Sequence, residues 1–324
     1  MTKNPFVRQH LIRDAIGRAL YDAMKLDPSI YLFGEGAMIK QHYDAPQIER
    51  DFPDRVVTLP ISEDANTNFA VGASLLGVKP VVDVITSDFL YRSFDSIANT
   101  AAKLNFVLPD GEPPRTIVIR SEFLLGGPTT GQRPEALFVH IPGLNIAIPS
   151  TPRDAYGLMW TALNMPEVTL FFEDRMIKDS ETRPEDMDGV GKMAIPFGQA
   201  SMRMRPPRPT LTIVTYGLMR QVVELVLEQE KIRTVDLIDL KTLYPIDWAT
   251  LFDSTERTGN VLVVEPDVAY AGVGAEIAAR ITEEFLCRVV RLGAPRETIP
   301  ASREGQARML PSREQILEAI RGLV

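Results

Sequence analysis

The sequence predicts an α/β protein built from two doubly wound domains. Short runs of β-branched and apolar residues alternate with longer amphipathic stretches, which is the pattern of a parallel sheet covered by helices on both faces. The alternation stops between Lys178 and Pro209, a segment rich in charge and proline, and then resumes. The chain has 324 residues, of which 45% are hydrophobic, so it is long enough to bury a core in each domain.

The first unit carries a series of predicted strands with helices between them. The strands are Ile30–Phe33, Val56–Leu59, Pro80–Ile85, Thr116–Ile119, Asn145–Ile148 and Val168–Phe172. Helical periodicity is clear at Leu11–Met24 and at Asp154–Leu163, and Thr151 and Pro152 are typical of a helix start. The charged, proline-rich segment that follows is interpreted as an interdomain crossover.

The second unit is smaller and repeats the alternation. Its predicted strands are Leu211–Thr215, Thr234–Asp239, Asn260–Val264 and Cys287–Arg291. Its predicted helices lie near Leu218–Glu230, Trp248–Arg257, Gly274–Phe285 and Ser312–Arg321. A second α/β domain is therefore expected after the crossover.

The composition excludes several classes of protein. With 35 Lys and Arg residues against 43 Asp and Glu residues, the formal charge of −8 gives no basic surface for nucleic acid or an anionic membrane. The single cysteine, Cys287, cannot form an intrachain disulfide, and no cluster of His and Cys has metal-ligand spacing. No stretch has the pattern of a signal peptide or a membrane span. We expect a cytoplasmic protein without a nucleic-acid or membrane partner.

The sequence lacks a nucleotide-phosphate loop. Gly272 and Gly274 begin a dinucleotide fingerprint, but Ile277 occupies the third glycine position, and no GxxxxGK[ST] string is present. These glycines are therefore interpreted as a tight turn between a strand and a helix. The loop Gly126–Gly131 follows a predicted strand at the edge where ligands usually bind, and it is either a ligand loop or a flexible connection.

Glu63 has two interpretations from the residues alone. The segment 59–77 ends a strand and opens a helix, so Ser62 as the cap and Glu63 in the first turn suit the helix macrodipole. Capping is favoured over catalysis on this pattern. Asn66 is less expected in the same helix, because asparagine is a poor helix former.

Hydrolytic machinery is not expected in this chain. No GxSxG elbow is present, and the few histidines suit surface or turn positions. They are His10, His42 and His140. Acid–base chemistry must therefore come from carboxylates or from a cofactor.

A series of short motifs follows along essentially the whole chain. They are LPISE (59–63), GVKPVV (77–82), DF (88–89), DSIAN with AAK (95–103), HIPGL (140–144), IPFGQA (195–200), DLKTLYPID (239–247) and GVGAEI (272–277). In this order they resemble the beta subunit of the thiamine-diphosphate-dependent first component of 2-oxo acid dehydrogenase complexes, of the pyruvate, branched-chain and acetoin types. The resemblance implies a pyrimidine-binding thiamine-diphosphate fold over residues 1–190, a crossover linker over 191–209 and a transketolase C-terminal-like domain over 210–324.

The resemblance also implies a site. Glu63 matches the glutamate that hydrogen-bonds the aminopyrimidine ring of thiamine diphosphate, and Phe89 matches the aromatic residue that packs against this ring. A shielded carboxylate can exchange a proton with the ring nitrogen, which prepares the cofactor to attack a carbonyl. With the resemblance, catalysis becomes the favoured role of Glu63. Mg²⁺ and the diphosphate would be held mainly by an alpha-type subunit, in a tetramer of two alpha and two beta chains.

The sequence departs from the family at positions that bear on the substrate. The family usually has a histidine shortly before the HxPG motif, and Thr130 stands there, within the string Thr129 to Gln132. Asn66 replaces a usual phenylalanine after the catalytic glutamate. We expect Asn66, Thr130 and Gln132 in the substrate pocket.

The resemblance leaves three functions open. The first is decarboxylation of a 2-oxo acid and acyl transfer, with a lipoyl acyltransferase as a further partner. The alternative is carboligation or two-carbon transfer, as in split transketolases, which need no lipoyl partner. The third is a non-catalytic assembly or regulatory subunit, which the missing histidine favours and the intact Glu63 and Phe89 disfavour.

Overall fold

The computed structural model describes residues 12–35, 46–124, 126–178 and 183–324, so His10 and His42 lie outside the described residues. The strands are β1 (Ile30–Glu35), β2 (Val56–Leu59), β3 (Lys79–Thr86), β4 (Ile117–Phe123), β5 (Leu144–Ala147), β6 (Val168–Asp174), β7 (Ser201–Met204), β8 (Leu211–Thr215), β9 (Val235–Asp239), β10 (Thr242–Tyr244), β11 (Asn260–Val268) and β12 (Arg288–Ala294). The helices are α1 (Ile12–Leu26), α2 (Pro46–Asp51), α3 (Glu63–Leu75), α4 (Leu104–Val107), α5 (Glu135–Val139), α6 (Pro152–Asn164), α7 (Arg175–Lys178), α8 (Leu218–Gln229), α9 (Trp248–Thr258), α10 (Val273–Glu284), α11 (Arg303–Ala307) and α12 (Arg313–Leu323). Short 3₁₀ and π turns lie at Pro53–Arg55, Ser87–Tyr91, Ser96–Thr100, Ala101–Lys103 and Pro184–Asp186.

The first sheet has the strand order β10-β5-β6-β4-β3-β1-β2 in the described residues. Its strands are parallel except for β10, which is antiparallel to β5. Strands β4 and β6 are buried along their whole length because helices cover both faces. Helices α1 and α6 pack on one face, and α3 packs on the other through Ala70 and Val71.

The second sheet has the order β12-β11-β8-β9-β7. Helices α8 and α12 cover one face, where Val223 and Ile316 are buried, and α9 and α10 cover the other with Leu251 and Ile277. Both sheets are therefore doubly wound. The predicted fold class of two doubly wound α/β units is confirmed.

Two edge strands depart from the predicted pattern. Strand β7 lies inside the segment 191–209 predicted as a linker, and it pairs antiparallel with β9. Strand β10 follows β9 in sequence but pairs with β5 of the first sheet. Both are short, three or four residues, so neither shows the period-two pattern on which strand prediction depends. The segment 191–209 is thus more than a connection.

Buried polar contacts join the two units beside these strands. Arg220 of α8 donates through Nη2 to the carbonyl of Ser150 at 2.6 Å, and through Nη1 to Glu224 at 2.6 Å. The Ser150 hydroxyl donates to Asp239 at the end of β9. The Arg220–Ser150 and Ser150–Asp239 contacts hold the second unit against the first.

None of the helices in the described ranges is long and apolar enough to cross a membrane.

Candidate functional site

Four adjacent strands of the first sheet end at one edge, and the predicted site residues follow them. Strand β1 ends on Glu35, and β2 leads into α3, which begins with Glu63. Strand β3 leads into the turn that carries Phe89, and β4 leads into the loop with Thr130 and Gln132. The carboxyl ends of parallel strands are where α/β sheets bind ligands. The fold therefore gathers residues that are far apart in sequence.

Glu63 is the first residue of α3, yet it does not act as a helix cap. It is 5% exposed, and its carboxylate accepts no hydrogen bond from the first-turn amides in the described structure. Its neighbour is Arg92, whose Nε lies 3.5 Å from Glu63 Oε2. The predicted side-chain cap at Ser62 is also wrong, because Ser62 makes no side-chain cap hydrogen bond. Glu63 is thus a buried carboxylate that makes no capping hydrogen bond to the start of its own helix.

A second carboxylate, Glu35, lies close to Glu63. Glu35 is buried, and its Oε1 accepts hydrogen bonds from the Ser62 amide and from Asn66 Nδ2, both at 3.2 Å. Burial, and after it the negative charge of Glu63, raises the pKa of Glu35 above its ordinary value. Sequence reasoning did not assign Glu35, which lies two residues beyond the predicted strand Ile30–Phe33 and ends the observed β1.

Asn66 has a structural role, because its side chain hydrogen-bonds two neighbouring groups of the chain. Its Nδ2 donates to Glu35 and also to the carbonyl of Pro60 at 3.0 Å. This explains why a poor helix former occupies a buried position in α3. The amide nitrogen is engaged within the chain, and a contact of Asn66 with substrate stays a prediction.

Phe89 and Gln132 are linked through Asp88. Phe89 is half-buried in the turn after β3 and packs against the apolar core. Asp88 Oδ1 accepts from the Gln132 amide at 3.1 Å and from its Nε2 at 3.0 Å. Ser87 Oγ donates to the Gln132 carbonyl at 3.0 Å. Asp88 was quoted in the DF motif but not singled out for this task, because the contact joins residues 44 positions apart.

The loop Gly126–Gly131 folds back on itself. A Cβ at Gly126 would lie 2.1 Å from Thr130 Oγ1, and a Cβ at Gly131 would lie 3.0 Å from the Gly127 carbonyl. The two glycines therefore let the loop close tightly. Thr130 lies half-buried within it, two residues before Gln132.

A cavity of about 480 Å³ opens beside this loop, between the two units. Tyr91, Gly131 and Gln132 line it from the first unit, and Asp267 and Arg296 line it from the second. Burial, together with nearby carboxylates, raises the pKa of Tyr91 to about 12, so the phenol stays protonated near neutral pH. The pocket thus offers hydroxyl, amide and carboxyl groups next to the turn of Phe89.

The glycines Gly272 and Gly274 form the tight turn that the sequence predicts. The Gly274 amide, at the start of α10, donates to Glu265 Oε2 at 2.9 Å. A Cβ at Gly272 or Gly274 would lie 2.8 or 2.6 Å from the Glu265 oxygens. A carboxylate of this chain therefore occupies the amide end of the helix, where a phosphate would otherwise bind.

The HIPG string also has a structural role. Gly143 has a φ of +96°, and a Cβ there would lie 1.9 Å from the Ala102 carbonyl. His140 is exposed at the end of α5. In the part of the chain that the structure describes, no group of three or more His, Cys, Asp or Glu residues is arranged to hold a metal ion.

The buried Glu63 carboxylate and the half-buried ring of Phe89 thus stand at the carboxyl ends of a doubly wound α/β sheet, the edge at which such sheets bind ligands. Comparison with known proteins then gives the family. Residues 9–178 match the pyrimidine binding domain of transketolase, and residues 199–316 match the transketolase C-terminal domain. The second match begins before β7, so it includes part of the segment predicted as a linker.

Named relatives match nearly the full length of the chain. The 2-oxoisovalerate dehydrogenase subunit beta 2, mitochondrial, of Arabidopsis thaliana is 31% identical, over 96% of this chain and 88% of its own length. The acetoin:2,6-dichlorophenolindophenol oxidoreductase subunit beta of Cupriavidus necator is 30% identical, over 97% of each chain. The pyruvate dehydrogenase E1 component subunit beta of Rickettsia felis is 29% identical, over 97% of this chain and 98% of its own.

A solved structure shares the fold. It is described as a split gene transketolase, inactive beta4 tetramer, and superposes with a TM-score of 0.79 at 20% identity, over 97% of this chain and 98% of that one. The chain therefore belongs to the transketolase-like, thiamine-diphosphate-dependent family, among the beta subunits of 2-oxo acid dehydrogenase first components. The resemblance predicted from the motifs is confirmed.

Proposed function

We propose that this chain is the beta-type subunit of a two-chain enzyme that decarboxylates a 2-oxo acid and transfers the acyl group. The observation that carries the proposal is the shielded Glu63 carboxylate, which stands at the carboxyl ends of the sheet and has no capping task. Its ion-pair partner Arg92 is 74% exposed, so the pair contributes little to stability, and a buried carboxylate at the ligand-binding edge of a sheet is a functional-site candidate. A non-catalytic assembly subunit would have no need of this arrangement.

The residues present fit thiamine diphosphate, which supplies a carbon nucleophile for attack on a carbonyl when bound. Glu63 would hold and exchange a proton at the pyrimidine ring nitrogen, and Phe89 would pack against the ring. Glu35 would act as a positioning residue, because its carboxylate accepts from the Ser62 amide and from Asn66 and so holds the start of the helix that carries Glu63.

The site needs a second chain for the Mg²⁺ and diphosphate. Apolar side chains stand exposed along α3 and at its two ends: Ile61 before the helix (77%), Phe69 within it (51%) and Leu76 just after it (86%). An apolar surface of this kind on helix α3 is typical of a subunit interface. We propose an alpha-type partner there, in a tetramer of two alpha and two beta chains. The cytoplasmic location predicted from the sequence remains part of the proposal.

Carboligation or two-carbon transfer is the second candidate, and Thr130 favours it. A threonine hydroxyl donates one hydrogen bond but cannot exchange protons near neutral pH as an imidazole does. Acyl transfer to a lipoyl group would then be slow in this enzyme, and a lipoyl acyltransferase would not be its partner.

Titration calorimetry tests the two-chain proposal. The isolated chain should bind thiamine diphosphate and Mg²⁺ weakly or not at all, and the alpha-type chain should restore stoichiometric binding. The assembled enzyme should then reduce a dye with a 2-oxo acid, and screening aldehydes as acceptors separates the two candidates. Tight binding by the chain alone would contradict the proposal.

A further inference from the structure

The cavity between the two units has a wall that suits the carbon chain of a small molecule. Its volume of about 480 Å³ lies in the range of about 300–1,000 Å³ that is typical of small-molecule sites. Both units contribute proline, methionine and aliphatic side chains to it, and these are Pro128, Met176, Ile299, Met309 and Leu310. An organic molecule in this cavity would therefore bury carbon atoms against an apolar surface.

Three polar groups of the same cavity keep hydrogen-bonding capacity that the described residues do not use. The Tyr91 hydroxyl has no hydrogen-bond partner among them. Gln132 donates through Nε2 to Asp88, which leaves its Oε1 without a partner in the described ranges. Asp267 Oδ1 accepts from the Val268 amide at 2.6 Å, which leaves Oδ2. Because one end of Gln132 and of Asp267 is already held, their remaining oxygens are preorganised for a ligand.

The charged groups of the cavity disfavour a charged ligand. The Arg133 guanidinium is already engaged, with Nη1 2.9 Å from Asp174 and Nε 3.3 Å from Glu135. It also lies over the Phe123 ring at 3.9 Å. Burial, and after it the charge of Glu135, raises the pKa of Asp267 well above its ordinary value. Removal from water penalises a charge of either sign, and Glu135 adds a penalty for an anion.

We propose that this cavity binds a small uncharged compound with at least two hydroxyl groups on a short alkyl chain, of which an alkane-1,2-diol is the simplest. A hydroxyl group both donates and accepts, so it satisfies each of the three polar groups. Tyr91 of the first unit and Asp267 of the second bind the hydroxyl groups, and the alkyl chain lies on the apolar wall. The inference does not depend on the proposed function, because residues of this chain alone form the cavity.

The test measures the Kd of matched ligands for the full chain by saturation-transfer NMR. Affinity should rise about 4-fold for each added methylene group from propane-1,2-diol to hexane-1,2-diol, because the longer chain covers more of the apolar wall. Two charged analogues keep the same alkyl chain and one hydroxyl group. They are the anion 2-hydroxyhexanoate and the cation of 2-aminohexan-1-ol, and both should bind more than about 10-fold more weakly than hexane-1,2-diol.

Variants on both sides of the cavity locate the binding. Tyr91→Phe and Asp267→Ala should each weaken hexane-1,2-diol about 3- to 10-fold, the usual effect of one lost hydrogen bond. Asp267→Asn keeps a polar group of the same size and should weaken it less. Tyr244→Phe and Asp253→Ala are the matched controls, because both residues are exposed and lie outside the cavity. They should leave Kd unchanged, and melting curves check that each variant is folded.

Several results would overturn the inference. Absence of diol binding, or equal Kd values in the wild type and in both cavity variants, would show adventitious binding only. Tighter binding of either charged analogue would contradict the uncharged class of ligand. Loss of diol binding when the alpha-type chain is added would make the cavity part of the subunit interface. A chain that binds the diol but does not bind thiamine diphosphate with its partner would instead refute the proposed function and leave this inference standing.

Discussion

Replacing Glu265 by glutamine should make the protein more stable at pH 8 than the wild type and leave it nearly unchanged at pH 5. Glu265 is fully buried, and burial raises its pKa from 4.5 to about 7, against the opposing effect of the Gly274 amide. Glu135 adds to the rise through its negative charge. The glutamine oxygen can still accept from Gly274, so the turn at the start of α10 keeps its hydrogen bond.

The direction of this change in stability with pH follows from proton binding to Glu265. Between pH 4.5 and 7 the folded chain holds a proton on Glu265 that the unfolded chain has released, so the stabilisation present below pH 4.5 is lost as the pH rises through about 7. A change of one pKa unit corresponds to about 1.4 kcal/mol, which gives about 3 kcal/mol for this group. In a chain of this size, that is a difference of several degrees in the melting temperature.

The assay is the melting temperature of variant and wild type, measured by circular dichroism from pH 5 to pH 8. Glu276→Gln is the matched control, because Glu276 lies exposed in the first turn of the same helix. Its difference from wild type should not change across this range. A Glu265→Gln difference that is also constant with pH would refute the reasoning.

The remaining predictions concern the loop of the candidate site. Asp88→Ala leaves the Gln132 amide groups without an acceptor, which costs about 1–3 kcal/mol locally, so peptides covering 126–132 should exchange amide hydrogens faster, while Asp88→Asn should be milder. Thr130→His should raise the rate at which the assembled enzyme acylates a lipoyl domain relative to dye reduction. Efficient acylation by the unaltered enzyme would contradict the role given to Thr130.

Much of this site was predictable because its residues follow directly on the carboxyl ends of predicted strands. The order of strands and helices follows from hydrophobic period, and in a parallel sheet the carboxyl ends meet at one edge, which brings Glu63, Phe89 and Gln132 together. The turn at Gly272 and Gly274 was also predictable from the missing third glycine. The family resemblance, rather than the residue pattern, made Glu63 a catalytic candidate.

Other features depend on contacts that the sequence pattern does not encode. Asp88 meets Gln132, and Arg92 meets Glu63, only after strands far apart in sequence lie side by side. Strands β7 and β10 are too short to show a period, and β10 joins a sheet made by the preceding domain. The predicted side-chain cap at Ser62 is wrong. The Glu35 carboxylate, which lies outside the helix, instead accepts hydrogen bonds from the Ser62 amide and from Asn66 at this helix start.

The central claim is that Glu63 serves as the proton-exchanging group of the cofactor site, and proton exchange at the thiazolium carbon of bound thiamine diphosphate tests it most directly. In the assembled enzyme, Glu63→Gln should slow this exchange by about 10²- to 10⁴-fold, the usual contribution of a general acid–base group. Asp64→Asn removes the neighbouring charge from the same helix turn, where Asp64 accepts from Ser96, and should leave exchange near the wild-type rate. Exchange at the wild-type rate in assembled Glu63→Gln, or an equal loss in both variants, would show that Glu63 is only a residue at the start of a helix.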